Sequence, residues 1–195
     1  AALLEPLLST VTLSPHHELS LEADPRVTTA DQLKRLHSLG FTRLSLGIQD
    51  FDSTVQTAVN RVQSVEEVKK LTEIAREIGF DSVNYDLIYG LPFQTRDSIR
   101  KTIDSVRELR PDRIAFYGYA HVPWIKPGQR KFTEADLPAG DDKRALYELG
   151  RAMLEDALGL KVFEFKKQEA IRKLEKTREN VREVESLRRE LAPHL

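Results

Sequence analysis

Asp86 stands inside an apolar run, NYDLIYGLP at 84–92. A carboxylate in such a run is expensive to bury unless it is paired or hydrogen-bonded. Other β-rich runs end on polar residues too. Glu22 and Asp24 close LSLEADP, Gln49 and Asp50 close SLGIQDF, and Tyr117, Tyr119 and His121 close FYGYAH. Arg61 follows in VNRVQ. One polar strand end is ordinary, because loops are polar. Four in succession suggest a shared polar site on one face, of the kind that parallel α/β sheets build at the carboxyl ends of their strands.

Each residue also has a plainer reading. Glu22 and Asp24 could brace the turn at Pro25. Gln49 could satisfy a buried backbone group, and Arg61 could be a surface charge. Asp86 could belong to a structural ion pair. His121 is a lone histidine near a proline and reads as structural. His16 and His17 lack a second pair of metal ligands and read as a turn. Other chemistries find no support. YGLP and SLGIQ are not the G-x-G-x-x-G of a phosphate loop, and neither G-x-S-x-G nor H-E-x-x-H occurs. The chain has no cysteine, which removes disulfides, thiolate metal sites and thiol nucleophiles together.

The elements that must carry these residues follow a repeated phrase. A helical stretch ends, Gly-Phe or Arg-Pro follows, then a charged residue and a β-rich run. The copies are LHSLGFTRLSLGIQDF (36–51), AREIGFDSVNYDLIYGLP (75–92) and VRELRPDRIAFYGYAH (106–121). Gly40 and Gly79 suit the left-handed residue past a helix end, and Pro111 cannot continue a helix. Ser64 with Glu67 makes a capping box, and Thr29 and Thr95 suit N-caps. Leu33, Leu36 and Leu39 give one helix an apolar stripe, as Ile99, Ile103, Val106 and Leu109 do another. Strands are expected near 19–23, 43–48, 82–89 and 113–119, and a final helix near 141–158. Strands alternating with such helices imply βαβ units and a parallel sheet.

The chain has 195 residues, 40% hydrophobic and 31% charged, enough for one domain with or without an appendage. A net charge of −1, with basic and acidic residues alternating, argues against nucleic acid or a membrane surface as partner. No apolar run approaches the ~18 residues of a spanning helix. AALLEPLLST lacks the basic start of a signal peptide, and with no cysteine in the chain a cytoplasmic location is the default expectation. From Lys161 the composition changes. Leu174, Thr177, Val181, Val184 and Leu191 follow a 3-4 spacing, interrupted by Arg188 and flanked by Lys, Arg and Glu. This reads as a long amphipathic helix, either a coiled-coil strand or a solvated helix packed on its own domain.

The strings LSLEADPR, RLSLGIQDF, VNRVQ, AREIGFDSVNYDLIYGLPFQT, PDRIAFYGYAHVP, QRK and ADLP run in one order over residues 1–159. In that order they resemble oxygen-independent coproporphyrinogen III oxidases, radical S-adenosylmethionine enzymes of haem biosynthesis. The resemblance implies a partial TIM-like (β/α) barrel over 1–159, holding the last four of six βα units, with S-adenosylmethionine and a [4Fe–4S] cluster as cofactors. In the family, an adenosyl radical takes hydrogen from two propionate side chains, which decarboxylate to vinyl groups. Matched motif by motif, the S-adenosylmethionine contacts fall on Glu22, Gln49, Arg61, Asp86 and Ala120. Carboxylates would accept from ribose hydroxyls or the methionine ammonium. Arg61 would hold the methionine carboxylate, and Ala120 would offer backbone or close packing.

Some family features are missing. The C-x-x-x-C-x-x-C loop and the GGGTP segment do not occur, and a GMDHF-like segment does not follow the last helix. The expectation is a chain beginning just past the cluster loop, inactive alone for want of three thiolates. Residues 160–195, with KKQEAIRKLEKTRENVREVESLRRELAPHL, resemble the coiled coil of structural maintenance of chromosomes proteins. That suggests self-association or a helical partner, and with it an alternative reading as a non-catalytic chimeric or interaction module.

Overall fold

A computed structural model describes residues 4–158. The coiled-coil helix expected over 160–195, and any self-association through it, lies outside the described residues. The elements run α1 (Leu4–Ser9), β1 (Leu19–Ala23), α2 (Ala30–Ser38), β2 (Phe41–Gln49), α3 (Ser53–Ala58), α4 (Val65–Ile78), β3 (Ser82–Tyr89), α5 (Arg96–Leu109), β4 (Arg113–Gly118) and α6 (Gly140–Leu158), with two short 3₁₀ turns before α6. The four strands and four longer helices lie near the positions expected from the sequence. Two short helices were not expected. α1 precedes the first strand, and α3 forms because Asp52 accepts from the Thr54 and Val55 N–H groups and Val55 is buried. Its sequence, STVQTA, has little helical propensity of its own.

The boundaries have local causes. Ser64 and Glu67 close a capping box on α4. Thr29 and Thr95 cap α2 and α5, and each gains a reciprocal partner at the third helical position, Gln32 and Ser98. Gly40 (φ 92°) and Gly79 (φ 107°) adopt the left-handed turn beyond their helices. At α5 that role falls to Arg110, immediately before Pro111.

The strands pair in parallel in the order β1-β2-β3-β4, without reversal. The helices that join successive strands, α2, α4 and α5, pack on one face of this sheet. On that face Leu44, Leu46 and Ile48 of β2 join Val83, Tyr85 and Leu87 of β3 in one core with Leu33, Val68, Leu71, Ala75 and Val106 from the helices. A second cluster seats α6 through Leu146 and Leu154 against Ile99 and Ile103 of α5, with Phe116 of β4 beside them. Tyr85 is fully buried, and its hydroxyl pairs with Thr72 Oγ1 at 2.6 Å. The alternate residues, Arg43, Ser45, Gly47 and Gln49 on β2 and Asn84 and Asp86 on β3, face the other way. Among the described residues, no helix is long and apolar enough to cross a membrane.

Candidate functional site

Asp86 lies on the polar face and is half-buried, not enclosed in the core. Ser45 Oγ donates to its Oδ2 at 2.8 Å, and Asn84 Nδ2 donates to its Oδ1 at 2.8 Å. Asn84 Nδ2 also donates to Ser45 Oγ at 2.6 Å. Neutral donors therefore hold the carboxylate, where an ion pair was the plain alternative. Parallel register sets Glu22 beside Ser45, Gly47 beside Asp86 and Asp86 beside Ala115. A groove of about 360 Å³ runs along this face, lined by Ser20, Glu22, Arg43, Ser45 and Asn84 among others. Burial, and then the Asp86 and Glu22 carboxylates, push the Tyr117 phenol above its ordinary value. Both acidic groups thus act on one point at the end of β4.

Gln49 ends β2 in an unusual geometry. Its φ is 68°, left-handed for a residue with a side chain, and the pairing register shifts between Gly47 and Gln49. The turn brings the carboxamide back along the strand. A Cβ built on Gly47 would lie 3.0 Å from Gln49 Nε2 and 3.1 Å from Arg61 Nη2. A side chain larger than glycine's at 47 would press on both side-chain ends. Arg61 Nη2 donates to the Gly47 carbonyl at 3.0 Å and pairs with Asp24 Oδ2 at 3.3 Å. Arg61 Nε is buried, with no hydrogen-bond partner among the described residues.

Asp24 braces its turn, as the plainer reading had it, but the brace extends to Arg61. It accepts from the Arg26 backbone N–H at 3.1 Å and from Arg26 Nη2 at 2.6 Å. The Arg26 side chain also donates to the Asn60 carbonyl at 2.8 Å, fixing the turn that delivers Arg61. The Arg26 hydrogen bonds above all, helped by the Arg61 and Arg26 charges, hold the Asp24 carboxyl at about 2.

Ala120 lies just beyond the end of β4. Its carbonyl accepts from Gln129 Nε2 at 3.1 Å, and Lys143 Nζ on α6 donates to the neighbouring Tyr119 carbonyl at 2.6 Å. His121 packs its ring on Phe132, with centroids 5.4 Å apart, which fits a structural part. His17 Nδ1 contacts the Ser14 carbonyl at 2.7 Å within a turn, as expected. Among the described residues no cluster of three His, Cys, Asp or Glu could hold a metal. Glu22, Gln49, Arg61 and Asp86 come together on the face of β1–β3, and Ala120 stands at the adjoining strand end.

Asp50 has a larger part than the sequence suggested. It is 1% exposed. Its Oδ1 accepts from the Asp52 N–H at 2.6 Å and from Thr102 Oγ1 at 2.8 Å, and its Oδ2 accepts from Gln94 Nε2 at 2.5 Å. Burial pushes its carboxyl up despite these donors. Gln56 and Gln63 complete the network through the Asp50 and Ile48 carbonyls. Thr102 and Gln94 lie 52 and 44 residues from Asp50, so no local spacing signals them.

Residues 2–106 match the Radical SAM superfamily. Oxygen-independent coproporphyrinogen III oxidase of Helicobacter pylori is 46% identical over 140 residues, covering 72% of this chain and 31% of that protein. The protein of the same name in Escherichia coli is 51% identical over 126 residues, covering 65% of this chain and 28% of that one. The solved structure of coproporphyrinogen III oxidase from Escherichia coli, described as a radical SAM enzyme, aligns with a TM-score of 0.75 at 44% identity. That alignment covers 80% of this chain and 36% of the solved one. The chain thus spans about a third of the length of the relatives it matches.

Proposed function

The chain belongs to the radical SAM superfamily, and from that premise we propose that its strand ends form an S-adenosylmethionine site of a coproporphyrinogen III oxidase-like enzyme of haem biosynthesis. In this reading the four βα units are consecutive units of a TIM-like barrel. The supporting observation is the cradle at Gly47, where the Gln49 carboxamide and the Arg61 guanidinium converge beside Asp86. These groups suit the ligand. Arg61 takes the methionine carboxylate through its guanidinium. Glu22 and Asp86 accept from ammonium or ribose hydroxyls, Gln49 both donates and accepts, and Ala120 supplies backbone and close packing.

With a reduced [4Fe–4S] cluster, S-adenosylmethionine supplies radical chemistry in this superfamily. The sequence contains no cysteine, so its residues do not fit the cluster, and their part is binding and orienting the ligand. Calorimetric titration of the chain with S-adenosylmethionine tests the reading. Saturable binding that Arg61→Met weakens is the expected result, and no heat at millimolar ligand refutes it. Reconstitution with iron and sulfide is expected to leave the protein without a 4Fe–4S absorbance band.

A further inference from the structure

We infer that Asp50 is a positioning residue for this site, holding the end of β2 so that the Gln49 carboxamide stays over Gly47. The inference rests on the S-adenosylmethionine reading and adds a residue that does not itself face the groove. Three neutral donors surround the buried Asp50 carboxylate, an arrangement costly to maintain for packing alone. What the donors connect shows its use. Thr102 Oγ1, on α5, donates to Asp50 and accepts from the Phe51 N–H at 3.1 Å. Gln94 donates to Asp50 and to the Ile88 carbonyl at 2.9 Å, while its Oε1 accepts from the Gly90 N–H at 2.6 Å. One carboxylate thereby ties the end of β2 to α5 and to the turn after β3.

Gln49 sits between two pinned neighbours. The Asp50 N–H donates to the Ile48 carbonyl at 2.9 Å, closing a three-residue turn around Gln49. With φ at 68° this is the strained form of such a turn, which persists only where surrounding contacts impose it. Gln63 Nε2 holds the Ile48 carbonyl at 2.7 Å, and Gln56 Nε2 holds that of Asp50 at 2.9 Å. Asp50→Asn would set an amide against the Gln94 amide. Gln94 cannot turn over to relieve this without facing its own amide to the Gly90 N–H. The clamp therefore fails at its centre, and Gln49 is freed to leave the left-handed turn.

A double-mutant cycle separates this role from a general loss of stability. Affinity for S-adenosylmethionine is measured by calorimetry for the wild-type chain, Gln49→Ala, Asp50→Asn and the double variant, with folding checked by circular dichroism. Each single variant is expected to weaken binding by about tenfold, the loss of roughly one hydrogen bond. The double variant is expected to bind no more weakly than Gln49→Ala. Equal weakening by Asp50→Asn in both backgrounds, or no effect of Asp50→Asn on affinity, would overturn the inference. If Gln49→Ala binds as the wild type does, or the wild type does not bind, the site reading itself falls and takes this one with it. Should Asp50→Asn not fold, Thr102→Val, which removes one donor, replaces it in the same cycle with the same outcomes.

Discussion

Arg61 Nη2 lies 3.3 Å from Asp24 Oδ2 while donating to the Gly47 carbonyl at 3.0 Å. One guanidinium thus joins the ends of β1 and β2, and the carboxylate that holds it is itself held by Arg26. Gly47 leaves the space in which this happens. The site is organised by residues chosen for what they fix in place as much as for what they present.

The Asp24 carboxyl, at about 2, lies below its unfolded value of roughly 3.9. The folded state then binds fewer protons than the unfolded one between these values, so stability rises with pH across that window. The contribution is complete above about pH 4 and is lost as pH falls through about 2, and partial exposure limits it to the order of 1–2 kcal/mol. Urea unfolding of wild type and Asp24→Asn at a series of pH values should show a gap that closes on acidification. A gap that stays constant down to pH 2 would contradict the assignment.

Gly47→Ala separates site from fold. The added methyl presses on two side-chain ends, at 3.0 and 3.1 Å, and meets backbone only at an ordinary 3.9 Å, so the sheet can absorb it. The thermal midpoint is expected to move by a few degrees at most, corresponding to under about 1 kcal/mol. Gln49 and Arg61 must both retreat, however, and affinity for S-adenosylmethionine should fall by about tenfold or more. Unchanged affinity would mean that the cradle is not where the ligand sits.

How much of this was legible in the sequence depends on the range over which each residue acts. Thr29, Ser64 and Thr95 cap helices three residues away, and Gly40 and Gly79 turn the chain locally, so strand and helix positions could be read directly. Periodicity placed Leu33 and Ile99 on the buried faces for the same reason. Asp86 drew notice because it broke an apolar pattern, yet its partner Ser45 on the neighbouring strand was hidden, since strand register is set only on pairing. Asp50 was read only as one more polar strand end, and no local signal marked Gln94. Their connection exists only because α5 and the turn after β3 converge on the end of β2. α3 was missed because Asp52 and burial of Val55 create it against propensity.

Gly150 bears on the fold alone. A Cβ there would lie 2.5 Å from Phe116 Cζ, a ring already packed in a cluster with Tyr89, 5.0 Å away, and Tyr147, 6.3 Å away. Gly150→Ala gains helix propensity but overpacks the contact between α6 and β4. A net loss of roughly 1–3 kcal/mol is expected from chemical denaturation. A stabilised variant would show that α6 does not seat on β4 in this way.

Asp86→Asn tests whether the acidic groups share one site. The amide still fits the local hydrogen bonds: Asn84 can donate to its oxygen, and Ser45 Oγ can accept from its nitrogen. Stability should therefore change by no more than about 1 kcal/mol. The lost charge has two consequences. Tyr117, held up by burial and then by the Asp86 and Glu22 charges, should ionise at lower pH, read as the phenolate absorbance that Tyr117→Phe removes. A ligand ammonium loses its counter-charge at the same point, so affinity for S-adenosylmethionine should drop. An unmoved Tyr117 titration would place Asp86 away from the phenol, and an unchanged affinity would place it away from the ligand.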